Sequence, residues 1–156
     1  GSIGGNPFAL TNFTITATAE TANNVDFGTG FIVENTTATI DIQGVGFYTI
    51  TTPTSSAVNN LGSFVVFSNR ASDLALFIVD EPGLAGLADY DLASNYGPIG
   101  AAGDVLQWDE GPLDTASGQI ILSSNLNPGT FSATVPAPGG LALVGLAGVI
   151  GTRRRR

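Results

Sequence analysis

The chain contains no histidine, no cysteine, no methionine and no lysine. Without histidine or cysteine it can build neither the usual nucleophile–base pairs of covalent catalysis nor imidazole and thiolate metal sites. Disulfides are excluded as well, so the free energy of folding has to come from packing. The missing methionine predicts that a leader segment has been removed from the front, and a cleaved export signal is the candidate. These absences favour a protein without catalytic residues.

Basic charge is almost confined to the C-terminus. Arg70 is the one basic residue among the thirteen carboxylates of residues 1–152, which therefore carry a net charge of −12. Such an acidic body repels phosphate backbones, so nucleic acid is excluded as a partner. Arg70 itself is expected to pair with a carboxylate in a loop between strands. The other four basic residues form one block, Arg153, Arg154, Arg155 and Arg156.

Most of the chain alternates with a period of two residues. Apolar residues alternate with threonine in residues 13–19 and again in residues 37–42. This pattern is typical of a strand with one buried face and one solvent-exposed face. Turn signals separate such runs, for example Asn59-Asn60. Further strands are expected at residues 30–33, 46–51, 63–67, 74–79, 105–108, 119–122 and 130–135.

About nine short strands without a convincing amphipathic helix predict an all-β domain over residues 1–134, an antiparallel β-sandwich or jelly roll. Residues 74–79 are apolar on both faces and are expected to form a central strand. Residues 81–103 are rich in glycine and alanine and are expected to form a long loop with at most one helical turn. A short hydrophobic helix is expected to follow the domain, in residues 135–156.

Residues 135–156 form a tail with three parts in a fixed order. The first part is a proline segment that stops the last strand, because proline lacks a donor for the strand ladder. The second is an uncharged run over residues 139–152, and the third is the arginine block. The residues concerned are Val135, Pro136, Ala137 and Pro138 in the first part, and Gly139, Leu141, Leu143, Val144, Leu146, Val149 and Ile150 as the membrane span.

The uncharged run is somewhat short for a membrane helix. Fourteen helical residues reach about 21 Å, against a hydrocarbon core of about 30 Å. Snorkelling arginine side chains and local thinning of the bilayer offset part of the mismatch. The arginine block then stays on the cytoplasmic side and the acidic body outside. The alternative is a buried C-terminal hairpin or helix whose arginines form a solvated end.

This tail resembles the PEP-CTERM sorting sequence of exopolysaccharide-producing bacteria, in which a proline motif, a span rich in glycine, alanine and leucine, and an arginine cluster follow one another. Ala137 stands where the commoner motif has glutamate. The resemblance implies recognition by an exosortase in the inner membrane and a location in the cell envelope or outside the cell, with transient anchoring. It also implies a surface or matrix component, with exopolysaccharide or further copies of the chain as partners.

One kind of surface or matrix component is a self-assembling fibre subunit. Residues 1–11 are loosely patterned and are able to donate a strand to the sheet edge of a neighbour.

Two ligand hypotheses concern the acidic and aromatic residues of the body. No cofactor is required, but calcium takes six to eight oxygen ligands from carboxylates and loop carbonyls, and several carboxylates flank the glycine-rich segment. The candidate ligands are Asp89, Asp91, Asp104, Asp109 and Glu110. The alternative is a set of scattered, solvated carboxylates.

A calcium-assisted carbohydrate-binding module is the second interpretation of the body. Trp108, Tyr90 and Tyr96 would form its stacking platform. A core position for Trp108 is the alternative. A glycoside hydrolase that uses two of the carboxylates Asp104, Asp109, Glu110 and Asp114 ranks below both, since such enzymes need two carboxylates at a defined separation.

Overall fold

The computed structural model of the chain describes residues 1–80, 86–100, 102–123 and 129–136. Within these ranges the protein is all-β, and its one helical segment is the 3₁₀ turn Thr21–Asn23. Every strand pairing is antiparallel, which confirms the predicted class. The described strands are β1 (Ser2–Ile3), β2 (Asn6–Pro7), β3 (Phe13–Ala19), β4 (Val25–Asp26), β5 (Gly30–Ile42), β6 (Gly46–Thr49), β7 (Thr54–Asn59), β8 (Phe64–Asn69), β9 (Leu74–Asp80), β10 (Tyr96–Gly100), β11 (Ala102–Val105), β12 (Leu113–Thr115), β13 (Gly118–Ile121) and β14 (Thr130–Ala133).

The largest sheet is organised around the thirteen-residue strand β5. Its strand order is β11-β9-β8-β7-β5-β3, and β4 and β6 also pair with β5. The first half of β5 pairs with β7, and the second half pairs with β3 on one side and β6 on the other. The sheet curls like half of a barrel.

A β-bulge allows β5 to keep its apolar side chains on the inner face along its whole length. The register with β3 shifts between Thr18 and Ala19, which pair with Thr37 and Asn35 and leave Thr36 unpaired. Val33 before the bulge and Ala38, Ile40 and Ile42 after it are therefore all buried. A bulge also increases local twist, which is consistent with the curl of the sheet.

Two smaller sheets pack against the curled sheet and form the core with it. The sheet β12-β13-β1-β2 contributes Ile3, Leu113 and Ile120 to a cluster with Ile40 and Leu76. The two-stranded sheet β10-β14 contributes Tyr96, Ile99 and Phe131 to a second cluster, around Val58, Val65, Leu87 and Tyr90. This layering of sheets is sandwich-like.

Several strand predictions are confirmed, and others need correction. β3 has the predicted bounds, and β9 lies inside its sheet between β8 and β11. Residues 105–108 do not form a strand, because β11 ends at Val105 and Trp108 lies in a turn. The segment predicted as a long loop contains β10 and the first half of β11, and Pro98 is accommodated there because β10 pairs with one strand among the described residues.

The N-terminal segment is described by the structure, whereas most of the C-terminal segment is not. β1 pairs with β13 of the same chain, and β2 folds back on β1, so the N-terminal segment completes its own sheet. The predicted C-terminal helix falls on residues 135–156, and from residue 137 onwards these lie outside the described residues.

Candidate functional site

The candidate calcium ligands do not converge. Asp89, Asp104, Asp109 and Glu110 are exposed, and Asp91 is half-buried with Oδ1 accepting a hydrogen bond from the Ala93 amide at 2.9 Å. Nowhere in the described ranges do three or more acidic side chains come together as a metal site. These five side chains therefore do not form a carboxylate cluster in the structure, and a calcium site that also uses loop carbonyls stays a prediction. Each carboxylate stays near water, where its charge is solvated at no cost.

Trp108 is a core residue and not a binding platform. Its side chain is 0% exposed, and its ring lies 6.5 Å from the ring of Phe67. The indole Nε1 donates a hydrogen bond to the carbonyl oxygen of Ile120 at 2.8 Å, so the one polar group of the ring is satisfied inside the core. The prediction of Trp108 as a sugar-stacking surface is wrong, because no face of the ring reaches solvent.

Tyr90 and Tyr96 lie together, but they belong to the second core cluster. Their ring centroids are 4.6 Å apart, and Phe131 lies 6.1 Å from Tyr90 and 6.4 Å from Tyr96. Tyr90 is 4% exposed. The two tyrosines thus hold the two-stranded sheet β10-β14 against the body, and they do not form the open, coplanar pair that a sugar ring needs.

The hydroxyl of Tyr90 is buried without a hydrogen-bond partner. Burial raises the pKa of Tyr90 to about 12, and the negative charges of Asp91 and of ionised Tyr96 act in the same direction. A buried polar group without a partner costs about 1–3 kcal/mol. Tyr90 also lines a large groove on this side of the molecule.

The substitution Tyr90→Phe is expected to stabilise the protein by about 1 kcal/mol at neutral pH, because it removes the unpartnered hydroxyl and keeps the ring. The wild type should also lose about 2–3 kcal/mol as the pH rises from about 10 to 12. In that interval the unfolded tyrosine ionises at its ordinary pKa while the folded one stays neutral, so unfolding releases a proton. The variant should lack this loss. Urea unfolding at a series of pH values measures both effects.

Tyr48→Phe is the matched control, because the Tyr48 hydroxyl is partnered and donates to the Val45 carbonyl oxygen at 3.4 Å. It should not stabilise the protein. A Tyr90→Phe variant that is less stable than the wild type, or that keeps the alkaline loss, would contradict the assignment of an unpartnered hydroxyl.

The large groove, of about 1620 Å³, lies between β3 and the segment that contains β14. All of β3, residues 8–12 and residues 129–136 line it. The inner faces of β5, β8 and β9 contribute further lining residues, among them Val33, Val65, Phe67, Phe77 and Val79. Among the residues that the structure describes, no acidic or arginine side chain lines the groove, although the body has thirteen carboxylates. It is a neutral cleft in an acidic protein.

Arg70 forms an ion pair with Glu34, as expected from its isolation in the sequence. The pair lies beside a smaller hollow of about 430 Å³ that Asp73 and Ser55 also line. Both side chains are more than half exposed, so water screens the interaction and its contribution to stability is small. The Arg70 guanidinium is therefore already paired with a carboxylate of its own chain.

The beginning of the tail lies beside the groove. β14 ends at Ala133, the Val135 amide donates to Asn95 Oδ1 at 2.6 Å, and Pro136 is exposed. Ala137, Pro138, the predicted membrane span and the arginine block lie outside the described residues. Across residues 1–80, 86–100, 102–123 and 129–136, no helix has the length and apolar character needed to cross a membrane.

Sequence reasoning does not find the groove, although a signal for it exists. Residues 1–19 and 115–152 contain no charged residue. The groove brings the first of these stretches against part of the second, along β3 and residues 129–136. What the sequence does not reveal is that these two segments are neighbours in space.

Comparison of the chain with protein-family models, with curated proteins and with solved structures finds no match.

Proposed function

We propose that the chain is a non-enzymatic, exported surface or extracellular-matrix protein whose body is a β-sandwich and whose tail, residues 135–156, is an exosortase-type sorting signal. One observation carries this proposal: a proline segment, an uncharged run and an arginine block follow one another at the end of an acidic chain. The tail would anchor the protein transiently in the inner membrane and leave the body outside.

The way in which the tail leaves the body supports the proposal. The last described strand ends two residues before Val135, and Pro136 is exposed and lacks the N–H that a strand ladder needs. Among the described residues, both hydrophobic clusters are formed by residues that precede Val135. We expect the tail to enter a membrane or bind a protease without unfolding these clusters.

The charge distribution supports the same orientation. The net charge of residues 1–152 is −12, and all four arginines of the block follow the uncharged run. Positive residues at one end of an apolar segment are retained on the cytoplasmic side of the membrane. Juxtamembrane arginines also attract anionic lipid, at about 1 kcal/mol for each residue.

Replacement of all four arginines, Arg153 to Arg156, with glutamate is expected to remove most of the membrane-associated protein. The full chain is expressed behind an export signal, and the membrane and soluble fractions are compared by immunoblot. Arg70→Ala is the control, since it removes a positive charge from the body and should leave the distribution unchanged. Equal membrane fractions for the wild type and the glutamate variant would contradict a sorting function.

Processing is tested separately by intact mass. In a host that contains an exosortase, the wild type should lose the mass of the residues beyond the proline segment, and the double variant Pro136→Ala, Pro138→Ala should keep it. In a host without the enzyme, both proteins should keep the tail. An unprocessed wild type in both hosts would contradict the sorting assignment and leave only a membrane anchor.

A further inference from the structure

Among the described residues, nothing pairs with the outer edge of strand β3 in the curled sheet. β3 pairs with β5 on one side, and the groove runs along all seven of its residues. We propose that two copies of the chain join through their β3 strands into one continuous antiparallel sheet, related by a two-fold axis. This interface goes beyond the proposed sorting function and does not depend on the tail.

β3 lacks the features that protect sheet edges from pairing. Protected edges are short, contain proline or charge, or are covered by another segment. Seven residues long, β3 contains neither charge nor proline. Its alternation of threonine with Phe13, Ile15 and Ala17 suits a pleated strand, since β-branched and aromatic residues are the strongest strand formers.

The other outer strands among the described residues are short or protected. β11 has four residues, includes Asp104, and is approached so closely by Gly129 that a Cβ on Gly103 would lie 2.6 Å from the Gly129 Cα. β12 has three residues with Asp114 in the middle. Proline occurs in β2 and in β10, β6 and β14 have only four residues each, and β4 has two. β3 is thus the longest of the uncharged edges.

The sequence of β3 is complementary to itself in the antiparallel direction. When Thr16 lies opposite Thr16 of the second copy, Thr14 lies opposite Thr18 and Ile15 opposite Ala17. All threonines then share the outer face and all apolar residues the inner face, in both copies. Threonine pairs and pairs of large with small apolar residues are favourable neighbours across strands. Any shift by one residue would place threonine against the apolar face.

The apolar side chains on the inner face of β3 are only partly buried, so a partner strand would remove more of their surface from water. Phe13, Ile15 and Ala17 pack against the first core cluster but remain only partly buried, because the neutral groove lies beside them. A second β3 at this edge would cover them. On the outer face, Thr14, Thr16 and Thr18 are exposed. Only the inner face therefore has apolar surface to cover.

The net charge of the body makes the association dependent on salt. Each copy carries −12 over residues 1–152, so two copies repel at low ionic strength. The interface itself is uncharged, and Glu20, which directly follows β3, would lie opposite Asn12 in this register. Salt screens the repulsion between the bodies without weakening the strand pairing, so the dimer should become tighter as salt is added.

Sedimentation equilibrium of the full chain tests the proposal, in a non-ionic detergent that occupies the apolar tail. The expected mass is twice 15.8 kDa, with a dimer fraction that rises with protein and salt concentration. Thr16→Lys should raise the dimer dissociation constant about tenfold or more, since two positive charges would face each other across the axis. Circular dichroism checks that the variant is folded.

Thr49→Lys is the matched control. Thr16 pairs with Thr39 of β5, and Thr39 pairs with Thr49 of β6, so the two substitutions lie in one row of the same sheet. Both threonines are exposed. The control should dimerise like the wild type. A loss of dimer in the control alone would place the interface at β6, and equal association in all three proteins would place it elsewhere; either outcome overturns the proposal.

Cysteine cross-linking tests the register, and the chain offers a clean background because it has no cysteine. Thr16→Cys should form a covalent dimer under mild oxidation or with a short bismaleimide, whereas Thr49→Cys should not. Thr14→Cys and Thr18→Cys should cross-link with each other when mixed and not alone. A monomer at every concentration, or cross-linking of Thr49→Cys as fast as Thr16→Cys, would overturn the proposal. Neither result would affect the sorting experiments.

Discussion

Replacement of Trp108 with alanine is expected to lower the free energy of unfolding by about 3–5 kcal/mol, the usual cost of removing a large buried ring. The ring is fully buried within the first core cluster and lies beside Phe67. Its loss would also free the carbonyl oxygen of Ile120 from the indole hydrogen bond. Since natural domains are stable by about 5–15 kcal/mol, this single substitution removes a large share of the total.

Urea unfolding followed by far-ultraviolet circular dichroism measures the effect, because the variant has no tryptophan left for fluorescence. Trp108→Phe should be less severe, at about 1–3 kcal/mol, since it keeps an aromatic ring and loses mainly the Nε1 donor. Phe47→Ala is the control for loss of an exposed ring: Phe47 is 66% exposed, and its removal should change stability by about 0.5 kcal/mol or less. A Trp108→Ala variant as stable as this control would contradict the core position of the indole.

The alternation of apolar residues with threonine is sufficient to predict β3, but the same rule fails for β7. β7 reads Thr-Ser-Ser-Ala-Val-Asn, which looks like a loop, yet Thr54 and Ser55 are 2% and 3% exposed. Hydrogen bonds across the strands make part of this burial possible: Asn35 Nδ2 donates to Thr54 Oγ1 at 3.1 Å, and Ser56 Oγ donates to Asn35 Oδ1 at 3.0 Å. Local sequence cannot show a partner that lies about twenty residues away.

The alternation of apolar and polar residues changes phase near residue 35. This change of phase predicts separate strands at residues 30–33 and 37–42. In the structure these residues form the single strand β5, and the change of phase is the bulge at Thr36. A bulge shifts the alternation by one residue without ending the strand. A phase change alone does not distinguish a bulge from a turn.

The prediction of Trp108 as a sugar-binding surface is wrong because composition does not reveal how deeply a residue is buried. Aromatic rings near acidic residues are compatible with both a sugar platform and a core, and Trp108 is able to occupy the core because a backbone carbonyl accepts its N–H. The groove, in contrast, depends on β3 lying near β14, segments more than a hundred residues apart. Only the tertiary structure brings these two uncharged segments together.

The close approach of β5 to β7 leads to the last prediction. Gly30 is buried, and a Cβ at this position would lie 1.9 Å from the carbonyl oxygen of Val58, which is backbone and cannot rotate away. Val58 is itself fully buried between β5 and β8, so the clash can be relieved only by parting the strands. Gly30→Ala is therefore expected to destabilise the protein by about 3 kcal/mol or more.

Urea unfolding measures this cost, and amide hydrogen exchange should show the faster exchange in β7. Gly44→Asn is the control: Gly44 has φ of 76°, a Cβ at this position would have no atom within 4 Å, and asparagine adopts this conformation more readily than other residues. The control should change stability by less than about 1 kcal/mol. Equal stability of the two variants would mean that β5 and β7 are farther apart than the geometry at Gly30 requires.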